Sequence, residues 1–278
     1  VIEKDGAEFG AASPDGKKRQ DELAHEAQGH RMVGRRTRPG TWARTHMMSE
    51  CGGPGEASKS IFRRIHDNRF STRYFVGEGI DIGCGPDPIS LYSEFFPKMG
   101  RVRGWDLPDG DAQYLEGLQD ESFDFIHSSH CLEHMNDPFV ALKNWFRVLK
   151  QGGHLICVVP DEDLYEQGVF PSTYNDDHKH TFTTCKTKSW SNKSINLFDL
   201  LGSLGEGVEV LKIELLDATY RYDLPRFDQT LTPVGECAIE FIIRKRLSIE
   251  IEKGGRLPPG DKQLTKHGFQ LLTGLPVG

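Results

Sequence analysis

Residues 79–88 read Gly-Ile-Asp-Ile-Gly-Cys-Gly-Pro-Asp-Pro. Ile80 and Ile82 flank Asp81 at the two-residue spacing of a strand. Gly83 and Gly85 follow, residues whose missing Cβ lets backbone turn sharply and come close to a ligand. Pro86 and Pro88 suit the first turn of a helix whose unpaired N–H groups would face the same pocket. A strand, a glycine turn and a helix start open a doubly wound α/β unit. A tight turn alone would also account for two glycines, so the flanking pattern decides.

On the C-terminal side, Val102-Arg103-Gly104-Trp105 predicts a strand closing on Asp106, and residues 123–128, Phe-Asp-Phe-Ile-His-Ser, predict another. Asn136-Asp137-Pro138 is a helix start, with Phe139, Leu142, Trp145, Phe146 and Leu149 repeating at helical spacing up to Gly152 and Gly153. His154 to Val159 is a buried strand ended by Pro160. Before the glycine turn, Ser58 to Phe75 predicts a helix with Ile61, Phe62 and Ile65 on one side. The alternation implies right-handed crossovers and a Rossmann-like, mainly parallel sheet with helices on both faces. Ligands then lie at the carboxyl ends of the strands. Residues 195–204 predict a further helix, and Val208–Leu216 and Ala238–Arg244 two closing strands, the last antiparallel. The expected division is an irregular N-terminal arm over 1–57, one α/β domain over 58–246, and a Gly- and Pro-containing tail over 247–278.

A net charge of −7 gives no global basic field for nucleic acid or an anionic membrane. A local basic cluster, Arg31, Arg35, Arg36 and Arg38, lies in the arm and reads as a solvated charge run. The six cysteines include no C-x-x-C pair and read as reduced thiols of a cytoplasmic protein. No stretch reaches the ~18 apolar residues of a membrane span. The chain begins on Val1, as expected of a processed, trimmed or partial polypeptide.

Taken together, four ordered pieces resemble the core of class I S-adenosylmethionine-dependent methyltransferases, in particular the small-molecule branch of glycan and natural-product clusters. They are Asp81-Ile82-Gly83-Cys84-Gly85, the strand-end Asp106, Asp111-Ala112, and Phe123-Asp124 through Leu132-Glu133-His134 with Arg147-Val148-Leu149-Lys150-Gln151-Gly152-Gly153. The resemblance implies S-adenosylmethionine as cofactor. Asp81, Gly83, Cys84 and Gly85 would border its methionine part, Asp106 its ribose hydroxyls and Asp111 with Ala112 its adenine, while Ser128 and Ser129 would line the pocket near the sulfonium. Asp106 and Asp111 are only five positions apart, where the family commonly inserts a helix and a strand, so the sheet is expected to be shortened at its third-strand edge.

His130-Cys131-Leu132-Glu133-His134 matches the H-x-x-E-H string of a zinc peptidase group, a reading rejected because the segment follows a strand. On a helix, His130, Glu133 and His134 would share a face and could hold a divalent ion, but no metal is expected. The stretch from Asn175 to Phe182 follows a strand's carboxyl end and reads as the acceptor loop. Imidazole titrates near about pH 6.5, so His178 first and His180 second are candidates to take a proton from an attacking hydroxyl, with Glu133 as a further catalytic candidate. The expected activity is methyl transfer to a hydroxyl, less so an amine, of a small polar molecule such as a sugar or secondary metabolite. No nucleic-acid or membrane partner is expected, and a homo-oligomer is left open. A protein or RNA methyltransferase docking through the arginine arm, or a non-catalytic cofactor-binding partner, are the rivals.

Overall fold

The computed structural model describes residues 55–256. Helix α1 (Glu56–Ile65) turns Ala57, Ser60, Ile61 and Arg64 inward. A π-helical turn, Phe70–Tyr74, then leads into strand β1 (Gly77–Ile82). The single helix expected over Ser58–Phe75 is therefore two pieces. The break falls at Asp67, whose carboxylate accepts the backbone N–H of Arg69 at 3.0 Å, a local bond that competes with helix continuation. Beyond the glycine turn comes a 3₁₀ segment, Ile89–Phe95, with Pro88 extended before it, in place of the expected helix carrying prolines in its first turn. Strand β2 (Met99–Trp105) follows.

Strand β3 (Phe123–Ser129) is joined to β4 (Leu149–Pro160) by helix α2 (Pro138–Val148). Asp137 caps that helix by accepting the N–H groups of Phe139 and Val140, with Pro138 at its first position, as the sequence signals require. A small parallel pair, β5 (Thr181–Thr183) and β6 (Ser194–Asn196), precedes helix α3 (Leu197–Gly202). Strands β7 (Val208–Leu216) and β8 (Ala238–Lys245) complete the main sheet, and the short helix α4 (Ser248–Glu252) docks on β8 through Arg244 and Glu250.

The six-stranded sheet runs β2-β1-β3-β4-β8-β7. Strands β2, β1, β3 and β4 are mutually parallel, and β8 lies antiparallel between β4 and β7. Among the described residues β2 is an edge: between it and β3 the chain makes only a 3₁₀ turn, Leu107–Asp109, and further turns, so no third strand is added. That is the shortened sheet the Asp106–Asp111 spacing implies.

The period-2 alternation of the strands sends two residue sets to two faces. Ile80, Ile82, Ile126, Leu155, Cys157 and Phe241 pack with Leu142 and Trp145 of α2 and Leu197 and Leu200 of α3. Phe125, Ile156 and Ile242 pack on the other face with Ile61, Phe70, Phe75 and Phe96. Burial of each such side chain contributes about 1.5–3 kcal/mol.

The second face also holds a buried polar chain. Glu240 accepts from Arg63 (2.7 Å), Arg64 (3.1 Å) and Lys212 (3.0 Å). Arg64 in turn donates to His127 Nε2 at 3.0 Å. A guanidinium can only donate, so His127 must accept through Nε2 and carry its proton on Nδ1. Nδ1–H then donates to Asp81 Oδ1 at 2.7 Å, and Asp81 Oδ2 accepts the N–H of Ile89 at 2.7 Å. Thus a glutamate on β8 is linked through α1 and β3 to the two ends of the glycine turn.

Candidate functional site

Gly83 and Gly85 both take left-handed backbone, at φ 70° and 51°. Gly83 donates its N–H to the Trp105 carbonyl at 2.8 Å, and a Cβ there would stand 2.6 Å from the Cβ of Cys131. This glycine is required by protein packing. Gly85 differs, because a Cβ there would meet nothing within 4 Å. Its N–H donates at 2.9 Å to Asp106 Oδ2, tying the turn to the end of β2, while Asp106 Oδ1 accepts the N–H of Leu107 at 2.8 Å. Each carboxylate oxygen has two lone pairs, so both keep acceptor capacity for a ligand hydroxyl. Open space before Gly85 beside a half-buried carboxylate is a cradle that fits the ribose-bearing cofactor implied by the motif order.

The other cofactor candidates have distinct placements. Asp81 is buried, and both of its oxygens are committed to His127 and Ile89, so it holds the loop from within. Cys84 is half-buried; burial, with Asp81 and Asp106 nearby, pushes its thiol up to about 11, keeping it protonated. Asp111 is exposed and accepts the N–H of Gln113 at 2.7 Å, and the Ala112 carbonyl accepts from the Trp145 indole at 2.8 Å. Ser128 is buried with its hydroxyl donating to the Ile82 carbonyl at 3.0 Å, and Ser129 is half-buried at the end of β3.

Immediately after β3 the chain passes His130 in left-handed backbone (φ 53°) and makes one 3₁₀ turn, Leu132–His134. The H-x-x-E-H string is therefore not helical, and the shared helix face expected for His130, Glu133 and His134 does not form. What forms is a cluster drawing on the loop after β4. Glu133 is wholly buried, and neither carboxylate oxygen has a hydrogen-bond partner. Around its Oε1 stand His130 Nδ1 at 3.5 Å, His134 Nε2 at 3.8 Å and His178 Nε2 at 3.9 Å. Burial alone would raise this carboxyl, but the imidazoles of His130, His134 and His178 hold it down at about 2.

Two of the three rings are anchored on their far side. Glu166 Oε1 accepts from His178 Nδ1 at 2.7 Å, and the Asp177 backbone carbonyl accepts from His134 Nδ1 at 3.2 Å, with the Asp177 carboxylate 2.9 Å from the same nitrogen. The Nε2 atoms of both rings are thereby turned toward Glu133. The loop is pinned by Lys179 N donating to the Glu133 carbonyl at 3.0 Å, and by Tyr165, whose ring lies 5.1 Å from that of His178. Arg226 crosses from the 217–236 loop to donate to the Glu166 carbonyl at 2.8 Å, and its guanidinium lies over the Tyr174 ring. His180 stands apart: its Nε2 donates to the Asn136 carbonyl at 3.3 Å. His178 thus joins Glu133, while His180 pins the loop. Glu166 had no role in the sequence reading, because nothing in a sequence pairs an acid with an imidazole 12 positions later; its burial in the π-helical turn Glu162–Glu166 is the signal.

The five described cysteines are free thiols, and no described helix is long and apolar enough to cross a membrane. The cluster Arg31–Arg38 and most of the 1–57 arm lie outside the described residues, as do residues 257–278 of the tail.

Comparison with known proteins agrees with the motif order. Residues 80–157 match the family model described as a methyltransferase domain. The chain is similar to an uncharacterized methyltransferase of Schizosaccharomyces pombe, 28% identical over 125 residues, covering 35% of this chain and 44% of that protein. It is also similar to the demethylmenaquinone methyltransferase of Staphylococcus aureus, 28% identical over 114 residues, 41% of this chain and 42% of that protein. The chain therefore spans less than half the length of these curated relatives. Among solved structures, the complex of the Haloferax volcanii Trm112 methyltransferase activator and its putative methyltransferase aligns at 14% identity with a TM-score of 0.48, covering 74% of this chain and 95% of that one.

Proposed function

We propose that residues 80–157, which match a methyltransferase-domain model, are the core of a class I S-adenosylmethionine-dependent methyltransferase, and that the chain methylates a hydroxyl of a small polar molecule. The observation that carries this reading is the Glu133–His134–His178 cluster, built from the turn after β3 and the loop after β4. An uncharged amine attacks through its lone pair and loses a proton only afterwards, whereas a neutral hydroxyl is a poor nucleophile and needs a basic partner during attack, worth about 10²–10⁴-fold. Bound at the glycine turn, S-adenosylmethionine supplies a methyl group already activated on a sulfonium.

The chain's own residues would do three things. Gly85 and Asp106 would hold the cofactor's ribose side. His178 would receive the acceptor's proton on Nε2, while Glu166 on Nδ1 stabilises the resulting imidazolium. Tyr165 and the 217–236 loop would wall the acceptor; Tyr220 and Tyr222, stacked edge to face at 4.7 Å, offer aromatic faces for a ring. Unpaired thiols suit a cytoplasmic setting.

The test is turnover with a methyl-labelled cofactor against a panel of sugars, phenols and matched amines, followed by location of the label. Label on oxygen, with turnover in His178→Ala reduced by two or more orders of magnitude, is expected. Label confined to nitrogen would overturn the hydroxyl reading.

A further inference from the structure

We infer that Glu133, His134 and His178 form a binding site for one divalent first-row metal ion. Each offers one ligand atom, a carboxylate oxygen or an imidazole nitrogen, and the three lie within 4.8 Å of one another. A four-coordinate zinc ion with bonds of ~2.0–2.1 Å sets its ligand atoms roughly 3.3 Å apart. The 3.8 and 3.9 Å separations from Glu133 Oε1 to the two Nε2 atoms need only a small side-chain closure to reach that spacing.

Three features go beyond proximity. The Glu133 carboxylate is wholly buried, and both of its oxygens lack any hydrogen-bond donor. A buried charge in that condition is costly unless a cation meets it. Each imidazole is also held on Nδ1, His178 by the Glu166 carboxylate and His134 by the Asp177 backbone carbonyl with the Asp177 carboxylate close by. A carboxylate or backbone carbonyl behind a ligating imidazole fixes its tautomer and leaves the Nε2 lone pair on the metal side. Last, the ligands come from two segments: the turn after β3 supplies Glu133 and His134, and the loop after β4 supplies His178. A bound ion would therefore lock the acceptor loop to the sheet. Two imidazoles and one carboxylate suit zinc and its first-row neighbours better than magnesium or calcium, which prefer all-oxygen shells.

Three protein ligands leave a position open. An oxygen bound there ionises more readily, so the inference deepens the proposed hydroxyl methylation and rests on it for what the ion does. With the ion in place His178 Nε2 would be a ligand instead of the proton acceptor, and the cation would acidify the hydroxyl, whose proton would pass to solvent. The site itself stands on geometry alone.

The experiment is calorimetric titration of chelator-stripped full-length protein with zinc, repeated with cobalt(II) followed by visible absorption. The expected result is one ion per chain and the strong visible bands of a four- or five-coordinate cobalt site. Glu133→Gln and His134→Ala should abolish tight binding, and Glu166→Gln should weaken it about 10–100-fold. His66→Ala, at an exposed surface position, should leave it unchanged. Binding of the demethylated cofactor by each variant shows that it is folded. No tight zinc binding by folded wild-type protein, or tight binding that survives Glu133→Gln, would overturn the site. If zinc binds as expected but the label appears only on nitrogen, the hydroxyl reading fails and the metal site stands. If stripped protein methylates hydroxyls at full rate and binds no zinc, the reverse holds.

Discussion

Replacing Glu240 by glutamine keeps its shape, removes its charge, and tests the buried polar chain beneath the glycine turn. Glu240 is wholly buried among Arg63, Arg64 and Lys212. The outer two cations have second acids, Glu236 for Arg63 and Glu214 for Lys212. Arg64 does not: it is 1% exposed, and its other partner is the accepting Nε2 of His127. Glu240→Gln therefore leaves one guanidinium buried without an anion, a change that typically costs about 3–5 kcal/mol. A second route gives a similar size. Burial would raise the Glu240 carboxyl, but Arg63, Arg64 and Lys212 hold it at about 2 against an ordinary 4.5, a difference worth on the order of 3 kcal/mol. Because the folded value lies below the unfolded one, this contribution is complete above pH 4.5 and vanishes as pH falls toward 2. Urea unfolding of both proteins across that range is the assay, and the gap between them should close on acidification. A loss below about 1 kcal/mol at pH 7 would refute the reasoning, since Arg64 would then have found another partner or water.

The two glycines of the turn should respond differently to alanine. Gly83→Ala meets Cys131 and left-handed strain together and should lower stability by about 2–4 kcal/mol in urea unfolding, whereas Gly85→Ala carries strain alone, about 1–2 kcal/mol, yet should weaken calorimetric binding of the demethylated cofactor at least tenfold. Asp106→Ala should weaken the same binding by ~1.5–3 kcal/mol while near-ultraviolet circular dichroism stays native; equal affinity would remove Asp106 from the site. His178→Ala should lower turnover by about 10²–10⁴-fold with cofactor affinity unchanged, and His180→Ala, whose ring only meets the Asn136 carbonyl, should do much less.

Local chemistry explains what was legible in the sequence. Asp137 and Pro138 start α2 where capping rules place it, the strands alternate as their residues do, and the four residues between Asp106 and Asp111 leave no room for another strand and helix. Interactions between distant positions were not legible. Arg64, His127 and Glu240 each read as an ordinary surface or strand residue until the sheet stacks them, and a tautomer set by a guanidinium has no sequence signature. The helix face expected of the H-x-x-E-H string does not form. His130 adopts left-handed backbone and breaks the helix, and the second anchored imidazole arrives from His178, 44 positions after His134.

The missing third strand leaves β2 at the margin of the sheet, with its outer backbone N–H and C=O groups unpaired among the described residues. Such a margin can recruit a foreign strand and seed aggregation. Here it carries exposed Arg101 and Arg103 and only one deeply buried residue, Trp105, at its end. Those arginines act as gatekeepers, since a strand laid alongside would have to strip water from two guanidinium groups. A chain with both replaced by valine would keep its site and lose its colloidal stability, assembling edge to edge in a concentration-dependent way that light scattering would register.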